Sequence, residues 1–310
     1  MHKRLLNEAL IEVTLQPDGP ILVKAGDKGA DPTLPDMEFV RTNGKPYLPG
    51  SSLKGVIRSH CERLARTVGG TELSCDPLHP KHSCSAELQK GGLSSEVIHA
   101  RSCFVCRLFG NTALASRIYF TDAQPKGADP KTEERNGVAI DRVFGSVAVG
   151  PFNYETVIEG IFRGTFFVRN FGLAQLGLLA LALRDVQQQR VRVGFGKSRG
   201  LGIVTLTVES LTIRYPTCEL KNGEIRMLGV GRISDSPVVL GTGAFTGGEG
   251  YDFAPHDIAS LPDGVHYGID NWDTPEVCLK ESHVPAFWRT CVGCWREEAE
   301  RWTQRERRAS

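Results

Sequence analysis

The order in which apolar segments follow one another is the feature that most constrains the fold of this chain. Six segments have the periodicity of secondary structure, in the order strand, helix, strand, strand, helix, strand. The predicted strands cover residues 4–15, 115–122, 157–168 and 203–214, and the predicted helices cover residues 51–67 and 172–189. This is the order of the βαββαβ ferredoxin-like (RRM-like) unit, so the sequence predicts an α+β fold.

The remaining segments predict additions to this core. Residues 1–214 form the predicted core domain, and residues 215–310 form a less regular C-terminal extension whose last part, 295–308, predicts a charged helix. Residues 37–42 predict a short strand. The polar stretch 124–137 has no apolar period and predicts a mobile loop.

Charge and composition exclude several classes of protein. Charged residues make up 24% of the chain and the formal net charge is +1, so any nucleic-acid site must be a local basic groove. No apolar run approaches the length of about 18 residues that a membrane span needs, and no secretory leader is recognisable. We therefore expect a cytoplasmic protein, in which nine cysteines are more typical of metal ligands and buried thiols than of disulfides.

Residues 70–107 interrupt the core pattern with a predicted metal-binding insertion. Cys103 and Cys106 form a CxxC pair, and Cys75 and Cys84 lie upstream in a stretch with little periodic apolar content. Four thiolates bind Zn²⁺ tetrahedrally in closed, structural sites, and the metal would stabilise a segment too short for its own core. Three histidines could each replace one cysteine: His79, His82 and His99. Reduced, unligated cysteines and a redox-active CxxC remain the alternatives.

A second group of potential ligands lies near the C-terminus and predicts a metal site more weakly. It consists of Cys278, His283, Cys291 and Cys294. Tryptophans flank these cysteines, so a packed tail explains the same residues.

Two glycine-bearing turns predict contacts with phosphate. One covers residues 49–55 at the start of the first helix, where backbone N–H groups and Lys54 could meet an anion. The other covers residues 194–202, where glycines permit close approach and Lys197 and Arg199 supply charge. Tight connections carrying solvated cations are the alternative for each turn.

Four segments, in the expected order, resemble motifs of RAMP-superfamily CRISPR backbone subunits. They are KPYLPGSSLKG at 45–55, RLFG at 107–110, IDR at 140–142 and GFGKSRGLG at 194–202. The resemblance extends over about residues 4–214. It implies a subunit of a type III effector complex, in a branch that carries a zinc-bearing insertion at this place.

The resemblance also implies partners and an activity. Such subunits bind CRISPR RNA and target RNA beside other effector subunits, including copies or paralogues of themselves. A thumb hairpin, predicted here at 141–156, wedges into the guide–target duplex. In the type III branch, a loop aspartate promotes target-RNA cleavage with Mg²⁺ or a similar ion, and Asp36, just before the short strand, matches it. Asp27 and Asp31 in the same loop remain alternatives to Asp36.

The predicted RNA contacts combine these motifs with nearby cations and one aromatic residue. They are Ser51, Ser52, Lys54, Arg58, Arg142, Phe144, Gly196, Lys197 and Arg199. Lys24 and Arg41 are further cations near the expected groove, and Arg41 is more simply a solvated one.

Three other functions stay open at this point. A guide-binding subunit that does not cleave is the main alternative. A zinc-stabilised RNA-recognition protein outside CRISPR would be expected to carry aromatic RNP motifs, which are absent from this sequence. A CRISPR-RNA-processing enzyme would use a histidine as acid or base, and none lies in the loops considered catalytic.

Overall fold

The computed structural model describes residues 3–26, 35–79, 81–89, 91–247 and 250–309, with side chains described as far as residue 304. The strands are β1 Glu8–Pro17, β2 Arg41–Thr42, β3 Lys45–Pro46, β4 Ile118–Phe120, β5 Gln124–Pro125, β6 Lys131–Ile140, β7 Val147–Glu159, β8 Phe162–Arg169, β9 Val204–Arg214, β10 Cys218–Lys221, β11 Glu224–Met227, β12 Gly231–Asp235, β13 Val238–Leu240, β14 Ile258–Ser260, β15 Gly268–Ile269 and β16 Pro275–Lys280. The helices are α1 Gly50–Leu73, α2 Cys84–Leu88, α3 Ser95–Arg101, α4 Phe104–Phe109, α5 Leu173–Gln187, α6 Thr242–Thr246 and α7 Val284–Ala309.

An antiparallel sheet in the order β15-β16-β9-β1-β8-β4 organises the molecule, and β5 also pairs with β8. Strand β1 lies near its centre because every second residue is apolar and buried, from Ala9 through Ile11 and Val13 to Leu15. Helix α1 connects β1 to the later strands, and α5 connects β8 to β9. The predicted mixed α+β class, with strands and helices in this order, is confirmed.

Helix α1 confirms the helix predicted over 51–67 but starts differently. Its N-cap is Pro49, which makes no side-chain cap hydrogen bond. Instead, the Gly50 N–H donates to Asp122 Oδ1 at 2.8 Å. A carboxylate from another part of the chain therefore supplies the acceptor, and α1 continues through a kink at residues 69–70 to Leu73.

Helix α7 is much longer than the charged helix predicted over 295–308. Val284, Phe287 and Cys291 are buried along one stripe of its first turns, so packing makes these residues helical as well. The Cys291 carbonyl approaches α5 at Gly177 so closely that any Cβ there would overlap it. Gly177 thus permits close helix–helix packing.

The C-terminal segment contributes to the main sheet rather than following it as an irregular extension. Strand β16 pairs antiparallel with β9, with Val277 opposite Ile213. Two small sheets, β10-β11-β12 and β13-β14, precede it. The boundary at residue 214 remains a prediction.

Strands β6 and β7 form a long hairpin that corrects two predictions. Residues 124–137, predicted as a mobile loop, include most of β6, which lacks an apolar period because the hairpin exposes most of its side chains. The thumb predicted at 141–156 covers only the turn and part of the returning strand. The strand predicted over 157–168 is divided at Gly160, whose φ of 146° turns the chain from β7 into β8.

Candidate nucleic-acid interface and metal centre

The glycine-rich loop at 194–202 packs its backbone directly onto the segment after β1. Gly194 and Gly202 have φ angles of 86° and 90°, and a Cβ on either would overlap a carbonyl oxygen. The Phe195 N–H donates to the Leu22 carbonyl at 2.7 Å, and the Gly202 N–H donates to the Pro20 carbonyl at 2.9 Å. These contacts position the loop beside α1.

A cleft of about 580 Å³ lies between α1 and this loop. Five cations line it: Lys24, Arg63, Arg190, Arg192 and Lys197. There is no carboxylate among the described residues of its lining. Both predicted glycine-bearing turns reach the cleft, the first through Ser52 and Gly55 and the second through Gly194 and Lys197.

The cations of the cleft are close enough to affect one another. Burial lowers the pKa of Lys197, and the positive charge of Arg63 lowers it further. Arg192 Nη1 donates to the Lys197 carbonyl at 2.6 Å, which fixes the loop. Arg190 Nη1 lies 4.0 Å from Asp185 Oδ1 on α5, so the positive charge of the cleft is only partly compensated. Such a concentration of positive charge favours a polyanionic ligand.

Of the predicted RNA contacts, only Ser52 and Lys197 are lining residues of this cleft, and Lys54 and Arg58 bind elsewhere. Lys54 Nζ donates to Ser116 Oγ at 2.8 Å and to the Ile118 carbonyl at 3.4 Å, and burial lowers its pKa. Arg58 Nε donates to Glu62 at 2.8 Å, and its Nη2 lies 3.8 Å from Cys106 Sγ. Ser51 is exposed at the start of α1.

The other predicted contacts divide between the loop and the hairpin. Arg199 follows Gly196 in the loop, and its guanidinium lies 5.1 Å from the Phe195 ring centre. Arg142 and Phe144 lie in the β6–β7 turn, where the Phe144 side chain is 85% exposed.

Sequence reasoning missed three cations of the cleft, although each leaves a signal. Arg190 and Arg192 immediately precede the glycine-rich loop. Arg63 shares a helix face with Ser52, Val56 and Ser59, since 52, 56, 59 and 63 follow helical spacing. Because this face of α1 includes serines, it shows no apolar stripe by which the sequence could have identified it.

The predicted catalytic loop meets the hairpin at Asp36. The Asn153 N–H on β7 donates to Asp36 Oδ2 at 3.0 Å, and the Met37 N–H donates back to the Asn153 carbonyl at 3.1 Å. The alternatives Asp27 and Asp31 lie outside the described residues. Arg41 forms an ion pair with Glu155, so it braces the middle of β7.

The four predicted zinc ligands converge. The Sγ atoms of Cys75, Cys84, Cys103 and Cys106 all lie within 4.8 Å of one another, and those of Cys75 and Cys106 are 3.8 Å apart. A tetrahedral Zn²⁺ with Zn–S bonds of about 2.3 Å separates its sulfurs by about 3.8 Å. All four side chains are buried, so the donor set fits a closed structural zinc site.

Short backbone contacts prearrange these sulfurs. The Cys103 N–H donates to Cys84 Sγ at 3.2 Å, and the Cys106 N–H donates to Cys103 Sγ at 3.4 Å as α4 begins. Hydrogen bonds from Cys103 and Cys106 lower the pKa of Cys75 and of Cys84, whereas the pKa of Cys103 and of Cys106 is raised within the same cluster. Metal binding to all four sulfurs would therefore release protons from Cys103 and Cys106, because the thiolate is the form that binds metal.

The histidine alternatives do not join the cluster. His99 is buried with Nδ1 2.8 Å from the Tyr251 carbonyl and Nε2 2.9 Å from Arg117 Nη2, and burial lowers its pKa to about 2. His79 and His82 stack on each other at the surface, with ring centres 4.7 Å apart.

The C-terminal group does not form a second site in the part of the chain that the structure describes. Cys278 is exposed on β16, whereas Cys291 is buried beneath α5. Burial raises the pKa of Cys291 and of Cys294. Neither these three cysteines nor His283 belongs to a group of potential metal ligands among the described residues.

A comparison with protein families identifies the superfamily of this chain. The family model of the RAMP superfamily matches residues 14–205, well over half of the chain. The chain belongs to the RAMP superfamily. RAMP proteins are generally CRISPR RNA-binding proteins of multi-subunit complexes. The matched part of this RAMP protein includes α1, the four cysteines, the hairpin and the whole glycine-rich loop.

Two further findings concern similar proteins and membrane-spanning helices. None of the curated proteins matches this RAMP protein. Among its described residues, the helices are too short or too polar to span a bilayer.

Proposed function

We propose that this RAMP protein holds guide RNA as a backbone subunit of a type III CRISPR effector complex, in the zinc-containing branch. The cleft between α1 and the glycine-rich loop carries this proposal, since five cations meet there without a carboxylate among its described lining residues. A phosphate backbone would neutralise these charges and release its own counterions. The exposed glycine-rich loop would follow the backbone regardless of base sequence.

The topology supports the core expected of such a subunit. Strands β9, β1, β8 and β4 are neighbours in that order, and they are the fourth, first, third and second strands of the proposed βαββαβ unit. Helices α1 and α5 supply the two crossovers. We interpret this part as a ferredoxin-like, RRM-like core to which β15 and β16 add at one edge.

The hairpin supports a thumb that contacts a nucleic-acid duplex. Its turn is fixed because Asp141 Oδ1 accepts from the Val143 and Phe144 N–H groups at 2.7 and 2.8 Å. Val143 and Phe144 are nevertheless 82% and 85% exposed. An aromatic ring on an ordered turn can stack on a displaced base, which contributes about 1–3 kcal/mol per base.

Asp36 is the proposed catalytic residue for target cleavage. The hydrogen bond from the Asn153 N–H holds the carboxylate at the middle of the hairpin, beside the proposed path of the target strand. A carboxylate there can act as general base for the RNA's own 2′-hydroxyl. Mg²⁺ commonly binds through one or two carboxylates plus substrate phosphates, so a single aspartate fits such an ion only with RNA present.

Replacing Asp36 tests the proposed cleavage in the assembled complex. We expect Asp36→Asn to lower the target-cleavage rate by about 100-fold or more with Mg²⁺ present, the usual range for loss of an acid–base group. Target binding, measured by gel shift, should stay within about twofold. Asp263→Asn, at an exposed loop position, is the matched control. Undiminished cleavage by the Asp36 variant would remove Asp36 from the mechanism.

Guide binding is tested separately by Lys197→Ala. We expect the Kd for single-stranded RNA to rise about 5- to 10-fold and the slope of log K against log salt to fall by about 0.7, because one phosphate contact is lost. Lys221→Ala removes an exposed cation outside the cleft and should change neither quantity. Equal Kd values for wild type and Lys197→Ala would contradict RNA binding in this cleft.

A guide-binding subunit that does not cleave is the second candidate. The Asn153–Asp36 contact favours it, since a carboxylate that fastens the loop to β7 has a structural role without catalysis. The Asp36→Asn measurement separates the two candidates, because this one predicts unchanged cleavage by the complex.

A further inference from the structure

An aspartate–histidine pair lies directly behind the proposed RNA cleft. His60 on α1 has Nε2 2.7 Å from Asp185 Oδ2 on α5, and its Nδ1 is 2.9 Å from Arg63 Nη2. The His60 and Asp185 side chains are 13% and 8% exposed. Arg63 itself is exposed and lines the cleft.

The chemistry of arginine fixes the direction of these hydrogen bonds. A guanidinium can only donate, so His60 Nδ1 must accept from Arg63. The imidazole proton therefore lies on Nε2, where it donates to Asp185. The three groups form one directed chain from Arg63 through His60 to Asp185.

Asp185 remains a strong acceptor at the end of this chain. Burial acts to raise its pKa, but hydrogen bonds from His60 and Arg184 outweigh burial and hold the pKa below its ordinary value. Arg184 Nη2 lies 2.8 Å from Asp185 Oδ1. The carboxylate therefore stays ionised and keeps the His60 ring in one orientation.

Arg63 needs such an anchor because its surroundings are positively charged. It is close enough to Lys197 to lower the pKa of that side chain, so the two cations repel each other. An exposed arginine also regains side-chain rotamer entropy when it is released. Without the acceptor on His60, both effects would move Arg63 away from the cleft.

We propose that His60, oriented by Asp185, is a positioning residue that holds Arg63 toward the RNA backbone. One Arg63 N–H group is used on His60, and the others remain to donate to a phosphate. This proposal rests on the proposed binding of guide RNA in the cleft. It assigns a role to a histidine that the sequence alone suggests is a packing residue of α1.

A double-mutant cycle on single-stranded RNA affinity tests the proposal. We expect Arg63→Ala to raise the Kd about 10-fold and His60→Ala to raise it about 3- to 10-fold, with the double variant no weaker than Arg63→Ala. His60→Gln should restore the Kd to within about twofold, because one amide can accept from Arg63 and donate to Asp185. Lys221→Ala serves again as the control cation.

Each contrary outcome has a separate meaning. Multiplicative effects in the double variant, or unchanged affinity in His60→Ala, would overturn the positioning role while leaving the cleft intact as an RNA site. Unchanged affinity in both Arg63→Ala and Lys197→Ala would overturn the proposed function and this inference with it. Loss of RNA cleavage in both His60→Ala and His60→Gln, with unchanged affinity, would replace positioning by acid–base chemistry.

Nitrogen-15 NMR of the folded wild-type protein gives a readout that does not depend on variant stability. We expect the His60 signals of a neutral ring that is protonated on Nε2 and unprotonated on Nδ1. The opposite tautomer, or a doubly protonated ring, is incompatible with Arg63 donating to Nδ1 and would overturn the proposal.

Discussion

Glu8 on β1 lies between two arginines of the neighbouring strands, Arg169 on β8 and Arg214 on β9. Its carboxylate oxygens are 2.7 Å from Arg169 Nε and 2.5 Å from Arg214 Nη2, and the Glu8 side chain is only 4% exposed. A buried carboxylate costs free energy unless cations and hydrogen bonds compensate it. One residue thus links three adjacent strands of the main sheet.

Replacing Glu8 by glutamine tests this link through its pH dependence. Burial alone would raise the pKa of Glu8, but hydrogen bonds from Arg169 and Arg214 outweigh it, so the pKa lies below 4.5 in the folded protein. As the pH falls, Glu8 therefore takes up its proton in the unfolded chain first. The contribution of ionised Glu8 to stability is complete above about pH 4.5 and is lost as the pH falls through the pKa of Glu8 in the folded protein. At pH 7 we expect Glu8→Gln to lower the free energy of unfolding by about 1–2 kcal/mol, since both arginines are partly solvated.

Urea unfolding across the acid range measures the effect. The difference between wild type and Glu8→Gln should shrink as the pH falls below about 4.5. Glu12→Gln, which affects an exposed pair with Arg163, should change stability by less than about 0.5 kcal/mol. A Glu8→Gln difference that is independent of pH would show that lost packing, and not lost charge, causes the effect.

At the scale of elements, the four cysteines connect the short helices of the insertion to α1. Cys84 begins α2 and Cys103 caps α4, while Arg58 of α1 lies 3.8 Å from Cys106 Sγ. Four thiolates around Zn²⁺ leave a net negative charge, which a neighbouring guanidinium stabilises. Arg58, predicted as an RNA contact, is therefore better placed to support the metal centre.

Removal of the metal should loosen this insertion. We expect about one zinc per wild-type chain, and none in Cys103→Ser, together with a lower midpoint of thermal unfolding and protease cleavage between residues 75 and 103. Cys278→Ser changes an exposed thiol outside the cluster and should retain the zinc. Full zinc content in Cys103→Ser, measured by atomic emission, would contradict four-cysteine coordination.

At the scale of the whole molecule, the C-terminal segment completes the core that the N-terminal segment begins. Strand β16 covers the edge of β9, and α7 packs along α5, where Trp295 contacts Phe104 at a ring-centre distance of 5.0 Å. Trp295 is buried. An apolar helix without its covering partner exposes a large hydrophobic surface and favours aggregation.

Truncation after residue 214 tests whether the predicted core domain is independent. We expect the fragment 1–214 to lose cooperative thermal unfolding and to bind a hydrophobic dye, because α5 and the β9 edge become exposed. Removal of residues 305–310 alone is the matched control and should leave unfolding cooperative. A soluble fragment 1–214 with wild-type circular dichroism and a sharp transition would show that residue 214 is a true domain boundary.

The sequence alone predicted the elements whose own residues decide their structure. Apolar content was sufficient for β1, apolar alternation for β9, a nearly continuous apolar run for α5, and thiol chemistry with CxxC spacing for the four-cysteine cluster. Each of these signals is local, since periodicity and ligand type depend little on distant residues.

Only the tertiary structure decided which side chains share a surface. Lys54 and Arg63 both lie on α1. Lys54 forms hydrogen bonds beside the neighbouring strand β4, whereas Arg63 lines the cleft next to the glycine-rich loop. Helical periodicity relates residues to one another, but it does not say which face another element will cover. For the same reason, the sequence did not predict the polar strand β6 or the first turns of α7. Backbone pairing with β7 orders β6, and burial against α5 orders the first turns of α7.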